Sequence, residues 1–542
     1  MNRTRWSWGT GLRALHAVLS GGVAAGCLVV VFSSSRVVAH AEEVRDIGGR
    51  LELMVDDFLI EQTSGKARRV LHHPVPQEVV LVHDQPWEGS GCGYHSIFRD
   101  GERYRMYYKA WQLSVGKGKL TQPHALFTCY AESRDGVNWR KPDLGLIQFN
   151  GSKQNNIVLA SGAVGGVQAD AGHVAVFKDS NPDAPPQARY KAIVRSSGPK
   201  GLLVFGSPDG LRWAPLNDKP VITDGAFDSQ NLAFWDSARR EYRAYFRFFN
   251  EGRRDIRTAT SKDFLHWTKP VGLIYPGAAK EQLYTNQIKP YDRAPHLLIG
   301  FPTRYLERGW SASMRDLPEL EHRRLRAGVS TRYGTAITEG LLMTSRDGQT
   351  FHRFSEAFLR PGIQRKGTWA YGDQYIAWHA VETKSAAQNA PNELSIYATE
   401  GYWTGTSDRL RRYTLRIDGF ASLAAPMRGG EMLTRPLRFA GNRLELNFST
   451  SAAGGMRVEI QDVAGHPLKG FTLADCPVMF GDELQRTVSW TQGSDVSQLS
   501  GKPVRLRFEL RDADLYALRF RAAAKETSPT ASVPEAKSGG SP

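Results

Sequence analysis

Six carboxylates recur at the starts of repeated segments in this 542-residue chain. They are Glu88, Asp170, Asp224, Asp228, Glu281 and Asp373. Paired carboxylates suit glycoside hydrolysis, in which one carboxylic acid protonates the leaving oxygen while a second carboxylate attacks the sugar or activates water. Mutual repulsion can raise the pKa of one member of such a pair and keep it protonated. The six positions therefore indicate cleavage of a glycosidic bond as one chemistry open to this chain.

Aromatic and polar side chains accompany these carboxylates. Rings that could stack on sugar faces are Trp87, Tyr94, Phe227, Tyr284 and Trp369, and side chains that could bind hydroxyl groups are His173, Asn231 and Asn286. A structural interpretation competes with this one, because Asp and Glu are common in loops and about half of the six are expected to form turns or to face solvent. Trp87 and Trp369 could equally belong to a hydrophobic core.

A short phrase that recurs four times shows how the elements are organised. Its copies span Ser133–Trp139, Ser207–Trp213, Ser261–Trp267 and Ser345–Phe351. Each copy has Ser, then Asp two residues later, and an aromatic residue at its end. Ser and Asp side chains satisfy nearby backbone N–H groups, and Gly tolerates positive φ, so the phrase predicts a tight hairpin turn and is structural. Repetition of this kind indicates repeated supersecondary units.

A strand with alternating polar and apolar residues precedes the phrase in the first three units. Its copies are Arg103–Lys109, Arg189–Arg195 and Glu241–Arg247. A further apolar strand precedes each copy, and the turn phrase itself joins two more strands. One unit thus holds four strands, which is the composition of a propeller blade. We predict an all-β fold with five blades near residues 84–143, 168–217, 226–270, 282–356 and 369–420. The fourth carries an insertion over Arg304–Thr335, and the fifth lacks the turn phrase.

The two ends of the chain differ from the propeller. Arg3, Arg5 and Arg13 precede an apolar run, and a small-x-small site ends at Ala41, which is a secretory signal layout. An uncleaved membrane anchor is the alternative. We divide the chain into a signal peptide (1–41), the propeller (42–422), a β-sandwich of short alternating strands (423–521) and a disordered tail (522–542). The expected location is secreted or periplasmic.

Composition limits the partners. The formal net charge is +15, but Lys and Arg are scattered and form no basic stripe, so we expect no nucleic-acid partner and no membrane contact beyond the possible anchor. Cys92 and Cys129 could form one bridge or remain buried thiols, and the chain is no disulfide scaffold. The adjacent pair His72-His73 does not match a zinc motif. We expect no cofactor and leave open a calcium ion on the propeller axis; the oligomeric state is not indicated.

The predicted order of propeller and sandwich resembles glycoside hydrolase family 32, and the propeller alone is similar to family 43. Four phrases resemble uncharacterised exported bacterial proteins that are called glycosidase-like, and this similarity spans nearly the whole mature chain. These phrases are Val55–Ile60, Asn150–Asn156, Asp224–Asn231 and Gly481–Leu484. The resemblance implies a nucleophile or base in the first blade, a stabilising Asp in the second and a general acid Glu in the third. The characteristic phrases of family 32 are absent, so its fructose specificity is not expected.

By position, the preferred catalytic trio is Glu88, Asp228 and Glu281, with Glu281 as the proton donor and Asp228 as the nucleophile or base. The expected substrate-binding residues are Trp87, Asp170, His173, Asn231, Tyr284, Asn286 and Asp373. Two functions follow: an exported glycoside hydrolase acting on poly- or oligosaccharides, or a non-catalytic carbohydrate-binding or surface-interaction propeller. Proximity of at least two of the carboxylates in one funnel would favour the enzyme.

Overall fold

The computed structural model describes residues 43–116 and 118–522. The predicted signal peptide and nearly all of the predicted tail lie outside these residues. The described part is mostly β structure, as the alternating segments predict. The insertion in the fourth blade adds three short helices to the predicted all-β fold, and these are Ala312–Arg315, Leu320–Ala327 and Thr331–Thr335. None of the described helices has the length and apolar composition needed to cross a membrane.

Five antiparallel sheets form the blades of the propeller. From the inner strand outward, the first blade consists of Gly93–Asp100, Arg103–Ala110, Phe127–Ser133 and Trp139–Arg140, with Ile157–Ala160 also paired to its third strand. The second blade consists of Val167–Lys178, Tyr190–Ser196, Leu202–Ser207 and Ala214–Pro215, and Gly162–Val164 is added beside Val167–Lys178. The third blade consists of Leu232–Asp236, Glu241–Asn250, Arg253–Ser261 and Val271–Gly272.

The fourth blade consists of Lys289–Tyr291, Ala294–Gly300, Met343–Ser345 and His352–Arg353. A hairpin of Thr303–Glu307 and Ala336–Gly340 flanks the helical insertion, and a smaller hairpin of Ser114–Gly116 and Lys119–Thr121 extends the first blade. The fifth blade consists of Val381–Thr383, Glu393–Glu400 and Arg409–Leu415, and its outer strand is Val75–Val82. The predicted fifth blade at 369–420 lacked this strand, which comes from the N-terminal side and closes the ring of blades.

The four copies of the turn phrase form the predicted hairpin turns. In the first copy, Asp135 Oδ1 accepts hydrogen bonds from the N–H groups of Val137 (2.8 Å) and Asn138 (2.7 Å). Ser133 Oγ accepts from Gly136 N at 2.9 Å, and the same pattern recurs in the other three copies. The fourth position has positive φ in every copy, including 71° at Phe264, where the phrase has no Gly. The phrase is therefore structural.

The remaining strands form an antiparallel sheet outside the propeller. In spatial order it contains Ile60–Gly65, Gly430–Thr434, Arg505–Arg521, Ala421–Ala425 and Arg68–Leu71. Glu52–Leu53 and the long strand Arg443–Gln461 also pair with Arg505–Arg521, and Asp482–Thr487 pairs with Arg443–Gln461. A parallel pair joins Arg45–Gly48 to Leu437–Phe439. Residues 45–71, which the predicted division placed in the propeller, therefore supply strands to the C-terminal part of the chain.

Cys92, Cys129 and Cys476 are buried free thiols. Of the two alternatives for Cys92 and Cys129, the structure has the unbridged one.

Candidate functional site

One side chain from each blade meets its neighbours near the propeller axis, where the inner strands begin. In blade order these are Tyr94, His173, Asp228, Tyr284 and Tyr375, and we call the set the axial ring. The aromatic rings of Tyr94 and His173 are 5.7 Å apart, and His173 Nε2 lies 3.3 Å from Asp228 Oδ1. Tyr375 stacks on both Tyr284 (5.4 Å) and Tyr94 (6.3 Å). These contacts bring all five blades to one place.

Arg247, near the end of the second strand of the third blade, completes the axial ring. Its Nη2 lies 3.3 Å from Asp228 Oδ2, and its guanidinium lies 5.2 Å from the centre of the Tyr284 ring. Its Nε donates a hydrogen bond to the Ala226 carbonyl at 3.1 Å, which fixes its orientation. Arg195 of the second blade reaches the same carboxylate, with Nη1 at 3.7 Å. Two guanidinium groups and an imidazole therefore surround Asp228.

His173 lies between two carboxylates. Its Nδ1 contacts Asp170 Oδ2 at 2.9 Å, opposite the contact between Nε2 and Asp228. Arg195 Nη1 lies 3.1 Å from the same Asp170 oxygen. The pairing register of this inner strand shifts between Asp170 and Val174, and such an irregularity re-aims side chains locally. The shift allows Asp170 and His173, three residues apart, to meet at the same end of the strand.

Asp228 is the exposed carboxylate of the axial ring, with 68% of its side chain accessible. Desolvation raises the pKa of Asp228, but the hydrogen bond to His173 and the charges of Arg247 and Arg195 outweigh it and hold the pKa well below its usual range. Desolvation also raises the pKa of Asp170, but its hydrogen bond to His173 and the charge of Arg195 outweigh it and lower the pKa. Both carboxylates are therefore anions at neutral pH.

Tyrosines and a buried lysine line the rest of the site. The hydroxyl groups of Tyr284 and Tyr371 are 2.9 Å apart. Lys109 Nζ lies 4.6 Å from the centre of the Tyr94 ring and 3.4 Å from the Tyr402 hydroxyl. Burial lowers the pKa of Lys109 to about 8. The walls of the site thus combine aromatic surface with cationic groups, which can contact sugar faces and oxygen atoms respectively.

The helical insertion packs behind this tyrosine wall. Tyr333 stacks on Tyr371 with ring centres 6.0 Å apart, and the buried Arg326 guanidinium lies 4.5 Å from the centre of the Trp403 ring. His322 Nε2 contacts the Trp403 carbonyl oxygen at 2.8 Å. These contacts fix the wall on the side of the fourth and fifth blades.

A hydrogen-bonded floor lies beneath the axial ring. Gln287 Nε2 donates to Gln230 Oε1 at 2.7 Å, and Gln230 Nε2 donates to the Tyr94 carbonyl at 2.8 Å and to Ser96 Oγ at 3.2 Å. All four residues are buried. Because these bonds cross between the first, third and fourth blades, they fill the central channel below the ring.

Phe249 is an exposed aromatic residue beside the site. Its residue surface is 52% accessible, although most Phe side chains are buried. The guanidinium groups of Arg247 and Arg254 lie 5.8 Å and 6.0 Å from its ring centre. Arg254 also lies 5.4 Å from the centre of Tyr284, so Phe249 belongs to the same surface as the axial ring. An exposed ring beside the guanidinium groups of the site is a suitable platform for stacking a sugar.

A separate cavity of about 530 Å³ lies at the opposite ends of the inner strands and is lined by residues from all five blades. Its charged groups are largely paired with each other or with neighbours: Lys289 with Asp292 at 2.8 Å, and Asp179 with Lys191. None of the carboxylates singled out from the sequence lines it. The axial ring is the better candidate because it combines an exposed carboxylate with cationic and aromatic groups.

Two members of the predicted catalytic trio lie outside the axial ring. Glu88 is buried, and its carboxylate contacts Lys141 Nζ at 2.6 Å. Glu281 forms ion pairs with Arg304 at 2.9 Å and with Arg353 at 2.7 Å. The structure therefore brings Asp228 together with Asp170 and His173, and it does not bring either glutamate to them. Each glutamate is paired with basic residues, and its catalytic role stays a prediction.

Asp373 lies behind the tyrosine wall and is completely buried. Burial raises its pKa to about 7, although its oxygens accept hydrogen bonds from the N–H groups of Tyr402 (2.9 Å) and Ala370 (3.0 Å). Both oxygens are thus engaged with backbone. Asp373 supports the loop that carries Tyr371 and does not reach the surface of the site.

Three other predicted substrate-binding residues are engaged within the fold. Trp87 Nε1 donates to Asn156 Oδ1 at 2.7 Å. Asn231 is buried and donates to two carbonyl groups of its own loop. Asn286 is also buried and donates to the Tyr245 carbonyl at 3.4 Å. These three side chains are bonded within the fold, whereas Tyr284, His173 and Asp170 lie at the axial ring. The substrate-binding role of all six stays a prediction.

Three cationic residues of the site were not predicted, although the sequence carried a signal for them. Lys109, Arg195 and Arg247 each occupy the last position of one copy of the recurring strand. The inner strands begin at the axial ring, and the second strands run antiparallel to them, so the second strands end at the ring. A basic residue repeated at that position was therefore the signal for a cationic site.

No family model matches the chain. Two uncharacterized proteins of Mycobacterium tuberculosis, from strains CDC 1551 and H37Rv, are 31% identical over 153 residues, which is 28% of this chain. The alignment covers 42% of the length of these mycobacterial relatives.

Solved structures similar to this chain include five-bladed β-propeller glycoside hydrolases, as the sequence resemblance predicted. A complex of BT0996 with RGII has a TM-score of 0.41 and 13% identity, covering 64% of this chain and 92% of that protein. The endo-arabinase from Bacteroides thetaiotaomicron has a TM-score of 0.35 and 10% identity, and the match covers 62% of this chain and 98% of that protein. The catalytic domain of the GH62 α-L-arabinofuranosidase from Coprinopsis cinerea has a TM-score of 0.36 and 10% identity. This match covers 64% of this chain and 97% of that protein.

Proposed function

We propose that this protein is an exported glycoside hydrolase acting on poly- or oligosaccharides, with Asp228 as its reactive carboxylate. The observation that carries the proposal is the arrangement of Asp228, His173 and Asp170 among aromatic side chains from all five blades. The proposal includes a cleaved signal peptide and a C-terminal β-sandwich that supports the propeller.

Asp228 suits the role of nucleophile or general base. Its lowered pKa keeps it ionised, and its exposure leaves it accessible to a sugar. In this role it attacks the anomeric carbon, or takes a proton from the water that does, while the bond to the leaving oxygen breaks. Arg195 and Arg247 hold the carboxylate in place, and Phe249 and Tyr284 provide stacking surfaces for the sugar.

The proton for the leaving oxygen is assigned to His173. Its Nδ1 lies 2.9 Å from Asp170 Oδ2 and its Nε2 lies 3.3 Å from Asp228 Oδ1, so the ring is held beside the reactive carboxylate. Asp170 is buried at the far nitrogen and orients the ring. If Asp228 acts as the nucleophile, the water that hydrolyses the glycosyl-enzyme bond frees the carboxylate and returns a proton to the imidazole. If Asp228 acts as the base, the proton that it takes from water passes to the imidazole, which lies 3.3 Å away.

A non-catalytic carbohydrate-binding propeller is the second candidate. The observation that favours it is that both carboxylates of the site have lowered pKa values. A typical glycosidase keeps one accessible carboxyl group protonated by raising its pKa. Here the carboxyl group with a pKa raised to about 7, Asp373, is fully buried.

Activity screening together with binding measurements separates these candidates. The mature protein should be incubated with neutral and acidic oligosaccharides, and reducing ends should be measured alongside calorimetric binding to the same glycans. Acidic glycans belong in the panel because the site contains Lys109, Arg195, Arg247 and Arg254. Hydrolysis supports the enzyme, binding without hydrolysis supports the second candidate, and neither result across the panel contradicts both.

A further inference from the structure

Three side chains of types that can bind metal ions meet where the N-terminal strand closes the ring of blades. His83 directly follows the closing strand Val75–Val82, Cys92 directly precedes the inner strand of the first blade, and Asp408 directly precedes the strand Arg409–Leu415. All three residues are 0% exposed. A nitrogen, a sulfur and a carboxylate oxygen from the three lie within 4.8 Å of one another. We call this group the closure cluster.

Three polar atoms of the closure cluster lack a hydrogen-bond partner. His83 Nδ1 and both carboxylate oxygens of Asp408 are buried without a hydrogen bond. His83 Nδ1 and Asp408 Oδ1 are 2.6 Å apart, but the contact does not have hydrogen-bond geometry. Buried polar groups are nearly always satisfied, and each exception needs a physical explanation. A cation between these atoms supplies one.

We propose that the closure cluster binds a zinc ion through His83, Cys92 and Asp408. Imidazole nitrogen, thiolate sulfur and carboxylate oxygen are the ligands that Zn²⁺ takes in proteins, and three protein ligands leave one position for water. The charges of a thiolate and a carboxylate balance the two charges of the ion. Ca²⁺ and Mg²⁺ bind almost entirely through oxygen ligands, so they do not suit a site with sulfur and nitrogen donors.

Neighbouring groups support the ligands in the way that is common around zinc. His95 Nε2 lies 3.2 Å from His83 Nε2, so the second nitrogen of the histidine ligand has a partner. The backbone N–H of Trp111 donates to Cys92 Sγ at 3.5 Å. Each of these contacts orients one ligand.

Zinc at this position would stabilise the closure of the propeller. The closing strand and its partner Arg409–Leu415 are separated by more than three hundred residues of chain, and the first blade follows the closing strand directly. An ion held by all three segments ties the first and last blades together. This role is independent of the proposed glycosidase activity, since the closure cluster shares no residue with the axial ring.

The test uses full-length protein produced in metal-depleted medium. Zinc content is measured by mass spectrometry after reconstitution and desalting, and a parallel sample is titrated with Co²⁺ while sulfur-to-cobalt charge-transfer absorption is recorded. We expect one equivalent of zinc, one equivalent of cobalt with the sulfur band, and a melting temperature a few degrees higher with zinc. Cys92→Ser should lose the band. Cys476→Ser, at a buried thiol in the hydrophobic core of the C-terminal part of the chain, should keep it.

The result for the unaltered protein decides the proposal even if Cys92→Ser fails to fold. Absence of stoichiometric zinc, or cobalt binding without the sulfur band, would overturn it. Loss of the band in Cys476→Ser would also overturn it, because the thiol ligand would then be the wrong one. Activity on glycans plays no part in these readouts, so failure of the proposed function leaves them unchanged.

Discussion

Replacing Asp228 with Asn tests the proposed role of the axial ring most directly. The change keeps the shape of the side chain and removes the charge that lies 3.3 Å from His173, 3.3 Å from Arg247 and 3.7 Å from Arg195. A nucleophile or base at this position contributes about 10²- to 10⁴-fold to the rate, so we expect a loss of that size in kcat. Although Asp228 is exposed, its partner Arg247 is buried, so the free energy of unfolding should also fall, by about 1–3 kcal/mol.

Asp224→Asn is a matched control for this substitution. Asp224 lies four residues earlier in the same loop, exposes 63% of its side chain and forms an ion pair with Arg257 at 2.7 Å. It therefore has similar exposure and a similar partner, but it lies outside the axial ring. Its removal should leave kcat within about twofold, since surface ion pairs contribute little.

Initial rates on the best substrate of the screen, together with chemical denaturation of each variant, provide the assay. The activity of the unaltered protein should also persist below about pH 4, because the pKa of Asp228 is held well below its usual range. The reasoning is refuted if Asp228→Asn hydrolyses the glycan at the normal rate. It is equally refuted if both substitutions reduce the rate alike, because the effect would then be one of loop charge.

Three further outcomes are expected. Phe249→Ala should raise KM roughly fivefold with kcat unchanged, because stacking on an exposed ring contributes about 1 kcal/mol; an unchanged KM would remove Phe249 from the site. Asp135→Ala should lower the free energy of unfolding by about 1–2 kcal/mol, since two backbone N–H groups lose their acceptor; guanidinium denaturation measures this, and Arg134→Ala is the control without such bonds. Asp373, with its pKa raised to about 7, stabilises the fold most below about pH 4, and this stability is lost as the pH rises to about 7. The difference in unfolding free energy between the unaltered protein and Asp373→Asn should therefore fall by about 4 kcal/mol over that interval, and a constant difference would contradict the assignment.

The hairpin turns could be predicted because their chemistry is local. Ser133 and Asp135 bond to backbone groups within three residues of themselves, so the sequence phrase contains the whole interaction. Ring closure could not be predicted in the same way. Val75–Val82 alternates like many other strands, and its partner Arg409–Leu415 lies more than three hundred residues further along the chain. Nothing within the strand indicates which sheet it completes.

The difference between local and long-range contacts also explains why carboxylates at similar positions in the blades have different environments. Glu88, Asp228 and Glu281 all precede inner strands, and position alone gave them equal claims to the site. Their partners come from other parts of the fold: Lys141 for Glu88, and arginines of the fourth blade for Glu281. These long-range ion pairs decide which carboxylate remains exposed, and a single strand-start pattern contains no information about them.

The cationic character of the site, by contrast, follows from repetition combined with strand direction. The inner strand of a blade leads away from the axial ring and the second strand returns to it, so the last residue of each recurring strand lies near the ring. Lys109, Arg195 and Arg247 occupy that residue in three successive blades. The turn phrase instead follows the third strand, which again runs away from the ring, and it is thus confined to the opposite end of each blade. Each blade therefore carries its turn phrase at one end and its basic residue at the other, beside the axial ring. A residue type that recurs at the ring end of several blades indicates a shared chemical environment there.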